Sequence, residues 1–241
     1  MRQLLGVVVI LSLLFFIGLT SSAATYAVYY ACTELQDTAI IIMNSSGSET
    51  HYILKVYDAY GSLLEATQGQ GKLAGYESDY QMLSGLITPG EYTYGLVLIE
   101  SPAILTIGVE TFIENTWVGS DNIVDAVPEE PDHTYYWYRL NYSNSAKQTT
   151  GIAIVNPNNS PAAATLFVYD AFGEQNQGLD IVLDPYETDY YYLKSSISIA
   201  DHMWGTLDVK ATVPLIVAAE YFDANEILLN VDQGTHFYYY E

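Results

Sequence analysis

The segment Val168-Tyr-Asp-Ala-Phe-Gly173 repeats an earlier segment, Val56-Tyr-Asp-Ala-Tyr-Gly61, with a single change. Further matches flank this pair in the same order: TAIIIMN at 38–44 with TGIAIVN at 150–156, YESDY at 76–80 with YETDY at 186–190, Gly95 with Gly205, and ETF at 110–112 with EYF at 220–222. The spacing between matched residues is 112 at the first matches and 110 at the later ones. A period of this size indicates two copies of a whole domain rather than a short solenoid repeat.

In each copy the sequence predicts short strands separated by turns. The runs at 152–155, 164–169 and 215–219 are rich in residues that favour strands. We interpret 156–161 (NPNNSP) as a hairpin-like loop and 170–173 (DAFG) as a type I turn. No stretch has sustained helical periodicity, which leaves at most a single helical turn near 83–87 or 195–200. We therefore expect an all-β chain of two tandem antiparallel β-sandwich modules.

The first 24 residues have the three parts of a secretory signal peptide. Arg2 is followed by an apolar run at 4–19 and by small residues up to Ala24, after which we expect cleavage. The alternative is a retained N-terminal anchor, although the apolar run is short for a membrane span. We expect module one at 25–128 and module two at 129–241, joined by an acidic, proline-containing connector. The location would be secreted, periplasmic or cell-surface, without membrane insertion after cleavage.

The charge balance restricts the possible partners. The chain has 29 acidic and 7 basic residues, with a formal net charge of −22. Such a surface repels the phosphates of nucleic acid and anionic lipid, so we expect neither as a ligand. A solvated acidic surface is the simplest interpretation, and a cation or a basic partner is the alternative. The single cysteine, Cys32, excludes an internal disulfide. Pairing of Cys32 between chains and lipid attachment to it are the alternatives.

The second copy resembles a β-sandwich repeat of exported bacterial proteins. The resemblance rests on TGIAIVNP at 150–157, VYDAFG at 168–173 and VPLIVAAEYF at 213–222, and residues 38–112 carry the same pattern more loosely. The order of elements also looks, more distantly, like the small β-sandwich of the sensory rhodopsin transducer family. These families share no catalytic activity, so the resemblance implies a fold rather than a function.

No pattern typical of an enzyme is found. The chain has neither Gly-x-Ser-x-Gly nor His-Glu-x-x-His. The glycine-rich stretch at 69–75 is one residue too long for a nucleotide loop, and we interpret it as a plain flexible loop. We expect no catalytic residues, no cofactor and no metal. Two carboxylate pairs recur, Glu77 with Asp79 and Glu187 with Asp189. We interpret them as solvated strand positions, with calcium binding as the alternative.

Two further carboxylates stand out because they lie within apolar strands. Glu110 and Glu220 occupy matching positions in the two copies. A buried charge is unfavourable unless it is paired. We therefore expect a structural partner, with Lys55 and Lys210 as candidates, or contact with a ligand.

Aromatic runs are the remaining unusual feature in a chain with 23 tyrosines. The stretches 26–30, 135–138 and 237–240 are three versions of one strand. Because successive strand residues face opposite sides, some of these rings must lie outside the core or at a joint between modules. The candidate contact residues are Tyr135, Tyr136, Trp137, Tyr138, Trp204, Tyr238, Tyr239 and Tyr240. Exposed rings of this kind suit a protein partner or sugar stacking.

Three aromatic strands for two modules leave one strand over. Either a terminal strand pairs with another subunit, or each module is closed by an aromatic strand at both ends. We therefore expect a non-catalytic, exported structural or protein-interaction module that self-associates through terminal aromatic strands. A carbohydrate-binding module is the alternative.

Overall fold

The computed structural model describes residues 24–66, 71–88, 90, 93–123, 135–196, 203–233 and 235–239. The predicted all-β class is confirmed, because these residues form 18 strands in four antiparallel sheets. The two short helical elements, a 3-10 turn at Leu83–Gly85 and α1 at Leu193–Ser196, lie where the sequence allowed single turns. The predicted signal sequence, apart from Ala24, and the connector at 125–133 lie outside the described residues.

The first half of the chain contributes two sheets. The first inner sheet has the order β1-β7-β3-β4, with β5 also paired to β3. Its strands are β1 Ala24–Ala31, β3 Thr50–Asp58, β4 Leu63–Ala66, β5 Gly71–Leu73 and β7 Tyr94–Ser101. The first outer sheet has the order β6-β2-β8-β9. Its strands are β2 Gln36–Asn44, β6 Ser78–Met82, β8 Leu105–Ile113 and β9 Thr116–Ile123.

The second half also contributes two sheets. The second inner sheet has the order β14-β11-β16-β17. Its strands are β11 Gln148–Val155, β14 Thr188–Tyr192, β16 Ile216–Asp223 and β17 Leu228–Gln233. The second outer sheet has the order β13-β12-β15-β10-β18. Its strands are β10 Tyr135–Asn144, β12 Ala162–Asp170, β13 Gln175–Leu183, β15 Met203–Ala211 and β18 Thr235–Tyr239.

Matched residues of the two halves make matching hydrogen bonds. The hydroxyl of Tyr26 accepts from the backbone N–H of Leu105 at 2.7 Å, and the hydroxyl of Tyr138 accepts from that of Leu215 at 2.6 Å. The side-chain amides of Asn44 and Asn156 each donate to three backbone carbonyls. One acceptor lies four residues ahead, and the other two lie 29 and 30 residues ahead of Asn44 and 27 and 28 residues ahead of Asn156. The β1 strand therefore corresponds to β10, with Tyr26 at the position of Tyr138.

Three buried apolar clusters lie between the sheets. One cluster fills the space between the two sheets of the first half, and a second fills the equivalent space in the second half. The third lies between the two inner sheets and joins the halves. Each inner sheet is therefore buried on both faces, whereas each outer sheet has one face in a core and one face outside.

This layering explains the aromatic runs. Residues 26–32 of β1 are buried without alternation, as expected for a strand covered on both faces. Tyr26 and Tyr30 face the core of the first half, and Tyr29 faces the second half. In β10 the burial alternates, so that Tyr136 and Tyr138 face the core while Tyr135 and Trp137 face outward.

Three expectations need correction. The 156–161 segment is not a hairpin, because β11 and β12 belong to different sheets and the loop crosses between them. Gly71–Leu73, within the stretch interpreted as a plain loop, forms β5. Both terminal aromatic strands pair inside the chain, β1 with β7 and β18 with β10. This pairing removes the reason for expecting strand exchange.

Candidate functional site

The carboxyl group of Glu220 lies in the interface between the two inner sheets, where only 3% of the residue is exposed. It accepts three hydrogen bonds: from the Tyr190 hydroxyl at 2.8 Å, from the Tyr29 hydroxyl at 3.2 Å and from the Gln36 amide at 3.2 Å. Tyr190 belongs to the same sheet, whereas Tyr29 and Gln36 come from the first half. The carboxyl group therefore ties together residues from both halves.

Burial raises the pKa of Glu220 above its ordinary value, and the three donors act in the opposite direction. Burial also raises the pKa of the Tyr29 hydroxyl, and the neighbouring Glu220 raises it further. The hydroxyl therefore stays protonated and acts as a donor. The two lysines expected as partners lie elsewhere: Lys55 pairs with Glu100 at 2.6 Å, and Lys210 lies over the Tyr135 ring.

Gly151 makes room for this arrangement. Gly151 pairs with Glu220 in the sheet, and a Cβ built on it would lie 1.8 Å from the Tyr190 hydroxyl oxygen. A side chain at this position would therefore displace the hydroxyl that lies closest to the carboxyl group. In the first half the matching residue is Ala39, which pairs with Glu110.

Aromatic pairs also lie at the interface between the halves. The rings of Tyr57 and Tyr186 stack with their centroids 4.5 Å apart, and those of Tyr94 and Tyr190 lie 5.8 Å apart. The backbone adds an isolated antiparallel bridge between Tyr60 and Glu187. The interface is therefore held by ring contacts, hydrogen bonds to one carboxyl and a short backbone link.

Glu110, at the matching position of the first outer sheet, has a different environment. Tyr80 donates to its carboxylate at 3.0 Å, as Tyr190 does to Glu220. Glu110 is only half-buried and Tyr80 is 49% exposed. The same Glu–Tyr pair is thus covered in one half and uncovered in the other.

A second candidate site is the outward face of the second outer sheet, which we call the second outer face. The Trp137 and Phe167 rings lie nearly parallel with centroids 6.0 Å apart, and Phe167 also contacts Tyr169. The ammonium of Lys210 lies 3.7 Å from the Tyr135 ring centroid. Trp204 is 64% exposed on the same face.

A charged pair crosses this face between neighbouring strands. Arg139 donates to both carboxylate oxygens of Asp208, at 2.7 and 2.5 Å. Asp208 is 4% exposed, whereas the Arg139 side chain is about half exposed. The face therefore combines aromatic rings with a fixed guanidinium group, a composition that is common at protein interfaces.

The candidate contact residues fall into three groups. Tyr135, Trp137 and Trp204 share the second outer face. Tyr136 and Tyr138 point into the core and are 2% exposed, which removes them as ligand contacts. Tyr238 and Tyr239 are placed by their backbone in β18, paired with Tyr136 and Tyr135, and Tyr240 lies outside the described residues.

Phe167 and Tyr169 belong to the second outer face but were not among the predicted contact residues. They alternate with core residues Leu166 and Val168 along β12. This period of two was visible in the sequence and could have identified them. What the sequence could not show is that β12 and β10 flank the same central strand, β15.

The recurrent carboxylate pairs have structural partners. Glu77 and Glu187 accept from the backbone N–H groups of Ala74 and Asp184. Asp79 accepts from Tyr52, and Asp189 accepts from Tyr191. Among the described residues, no group of three or more His, Cys, Asp or Glu side chains is arranged to hold a metal ion.

The single cysteine is buried, and the helices are short. Cys32 is fully buried in the core of the first half, and burial, together with Asp37, raises its pKa to about 12. A disulfide between chains would therefore require local opening. Within the described part of the chain, no helix is long and apolar enough to cross a membrane.

Comparisons with known proteins give little further information. No protein-family profile and no curated protein matches the chain. Among solved structures, it is similar to a putative β-galactosidase from Bacteroides fragilis, with 12% identity, a TM-score of 0.20, and coverage of 90% of this chain and 32% of that one. It is also similar to β-glucuronidase 2 from Bacteroides uniformis, with 11% identity, a TM-score of 0.19, and coverage of 92% and 27%. The chain thus spans about a third or less of those enzymes, and likenesses at this TM-score carry no argument.

Proposed function

We propose that this chain is an exported, non-catalytic protein-interaction protein built from two tandem β-sandwich modules, at 25–128 and 129–241. Separate apolar clusters within each half and the matching strand orders support this division. Export rests on the signal-like residues 1–24. The resemblance to repeat modules of exported bacterial proteins is consistent with both parts of the proposal.

The observation that carries the proposal is the second outer face. Five aromatic side chains lie on the side of the sheet that faces away from the core: Tyr135, Trp137, Phe167, Tyr169 and Trp204. Tryptophan, tyrosine and arginine dominate the binding energy of protein interfaces. Rings on the outward side of a sheet, with Lys210 over the Tyr135 ring and Arg139 on the same side, therefore suit contact with another protein surface.

Site-specific photo-crosslinking tests this proposal. A photoreactive phenylalanine analogue is placed at Trp204 in one variant and at Ile104, which is 78% exposed in a loop, in a control variant. We expect protein adducts from position 204, with the chain alone or with the exported fraction of its source cells, and none from 104. Equal adducts at both positions, or none at either, would contradict a protein-binding role for this face.

Carbohydrate binding is the second candidate, favoured by the near-parallel Trp137 and Phe167 rings, 18° apart. Such a platform suits stacking of sugar rings. A glycan array probed with the exported chain tests this candidate. Retention on defined glycans that is lost in Trp137→Ala would support it, and a silent array would count against it.

A further inference from the structure

The interface between the two inner sheets is formed by one surface of each sheet. Each of these two surfaces has a counterpart, at matching sequence positions, on an outer sheet. The first inner sheet contributes Tyr57, Tyr60 and Tyr94 to it, and the second inner sheet contributes Tyr186 and Tyr190. The hydrogen-bonded registers of the four sheets identify which residues occupy matching positions on the outer sheets.

The counterpart of the second inner sheet is the outward face of the first outer sheet, which we call the first outer face. Tyr76 and Tyr80 occupy the positions of Tyr186 and Tyr190. Tyr76 has the same unusual backbone angle as Tyr186, with φ of 64° in both. Tyr76 is 77% exposed and Tyr80 is 49% exposed. The surface that is covered inside the chain is thus repeated, uncovered, at its first outer sheet.

The counterpart of the first inner sheet is the second outer face. Asp58 pairs with Gly95, and Asp170 pairs with Gly205, which fixes the correspondence. Tyr169 then occupies the position of Tyr57, Phe172 that of Tyr60 and Trp204 that of Tyr94. Trp204 is 64% exposed, whereas Tyr94 is half-buried. Phe172 and Tyr60 are both exposed, at 91% and 83%, so this pair matches in its place beside the bridge rather than in burial. Apart from Tyr29, whose counterpart is Asn141, these aromatic positions of the internal interface are aromatic again on the two outer faces.

The hydrogen-bond donors to the carboxyl group also have counterparts. Gln148 corresponds to Gln36, and Asn141 corresponds to Tyr29. If the second outer face covered a first outer face as the inner sheets cover each other, the Gln148 amide would take the place of Gln36 beside Glu110, whereas Asn141 is too short to replace the Tyr29 hydroxyl. The bond from Tyr80 to Glu110 is already in place.

The two outer faces differ in their charged residues. The second outer face presents Lys210 over the Tyr135 ring, whereas Arg139 on the same face is already paired with Asp208. The first outer face presents Glu110. An ammonium group on one surface and a carboxylate on the other favour association of the two faces.

We propose that the second outer face of one copy of this chain docks on the first outer face of the next copy, repeating the internal interface between chains. The proposal rests on the proposed function and names its partner as a second copy. The two surfaces are different, so the contact is heterologous and leaves a free surface of each kind at the ends. Each addition would extend a linear, head-to-tail assembly.

Disulfide trapping tests the register of this contact. Inside the chain Tyr60 forms a β-bridge with Glu187, and the matching pair between copies is Phe172 with Glu77. Residues in such a bridge have Cα atoms about 4.5–5.5 Å apart, which suits a disulfide. We expect a mixture of Phe172→Cys and Glu77→Cys chains to form a mixed disulfide dimer, identified by peptide mapping. A mixture of Phe172→Cys with Ile104→Cys is the control. Equal dimer yields in the two mixtures would overturn the proposal.

Light scattering provides a measurement that does not depend on introduced thiols. We expect the mass of the wild-type chain to rise with concentration, and that of the double variant Phe172→Ala, Trp204→Ala to stay at one copy. A wild-type chain that remains monomeric at high concentration would overturn the head-to-tail contact. If position 204 then still crosslinks to a different protein, the proposed function stands and only this inference fails.

Discussion

The hydroxyl of Tyr29 donates a hydrogen bond to Oε1 of Glu220, 191 residues later in the chain. Both residues are buried, and Gln36 and Tyr190 donate to the same carboxyl group. A buried carboxyl group depends on each of its donors, because a lost donor leaves part of the hydrogen-bonding capacity of a buried oxygen unfilled. This cluster is therefore the most sensitive point of the contact between the two halves.

Tyr29→Phe removes one donor and changes little else in the ring. We expect the free energy of unfolding in urea to fall by about 1–3 kcal/mol, the usual range for a buried hydrogen bond to a charged group. The matched control is Tyr80→Phe, which removes the equivalent bond at exposed Glu110. Because water can replace that donor, we expect a change below about 0.5 kcal/mol. Equal losses in the two variants would contradict the role of the buried cluster.

Stability should also depend on pH through Glu220. Its pKa is raised in the folded protein, so the folded chain holds this proton more tightly than the unfolded chain does. The resulting stabilisation is complete below the unfolded pKa of about 4.3 and is lost as pH rises through the folded pKa. Subtracting the pH profile of Glu220→Gln from that of the wild type should reveal this decline. A difference that is flat, or that rises with pH, would contradict the raised pKa.

Two matching glycines allow the cost of the turn conformation to be measured apart from the cost of packing at the interface. Gly61 and Gly173 occupy matching turns with positive φ, at 76° and 81°. A Cβ at Gly61 would lie 2.4 Å from the carbonyl oxygen of Pro185 in the other half, whereas one at Gly173 meets nothing within 4 Å. We expect Gly173→Ala to cost about 1–2 kcal/mol from the backbone angle alone. Gly61→Ala should cost about 1–3 kcal/mol more because of overlap at the interface. Thermal or urea unfolding of both variants measures the difference, and equal costs would argue against a packed interface.

Arg139→Ala tests the charged pair of the second outer face. The substitution leaves Asp208, which is 4% exposed, without its bidentate partner. We expect the free energy of unfolding to fall by about 1–3 kcal/mol. This loss is smaller than that expected for a fully buried ion pair, because Arg139 is half exposed. Lys72→Ala, which breaks an exposed pair with Glu49 at 3.5 Å, is the control and should change stability by at most about 1 kcal/mol. A larger loss from Lys72→Ala would contradict this ranking.

The strand content could be predicted from the sequence, and the layering only in part. Phe167 and Tyr169 alternate with core residues, which is the pattern of a strand with one face outside. The aromatic run at 26–30 indicated that β1 is either buried on both faces or exposes aromatic rings on one face. The sequence could not show that the second half of the chain buries the other face of β1.

The partners of Glu220 could not be predicted by residue spacing. Tyr29 and Gln36 lie 191 and 184 residues away, and only the packing of the two halves brings them to Glu220. Lysine was the expected partner because it carries an opposite charge. Two hydroxyls and an amide hold the carboxyl group instead, and burial keeps its pKa raised.

The most direct test of the account is a disulfide across the bridge between the halves. In the variant Tyr60→Cys, Glu187→Cys the two thiols replace residues that form an antiparallel bridge, at a separation that suits a disulfide. We predict complete oxidation within a single chain at low protein concentration, shown by peptide mapping. The control variant, Tyr60→Cys with Val182→Cys, places the second thiol on the exposed side of the second outer sheet and should stay reduced. A Tyr60→Cys, Glu187→Cys chain that also stays reduced would contradict the packing of the two halves through their inner sheets.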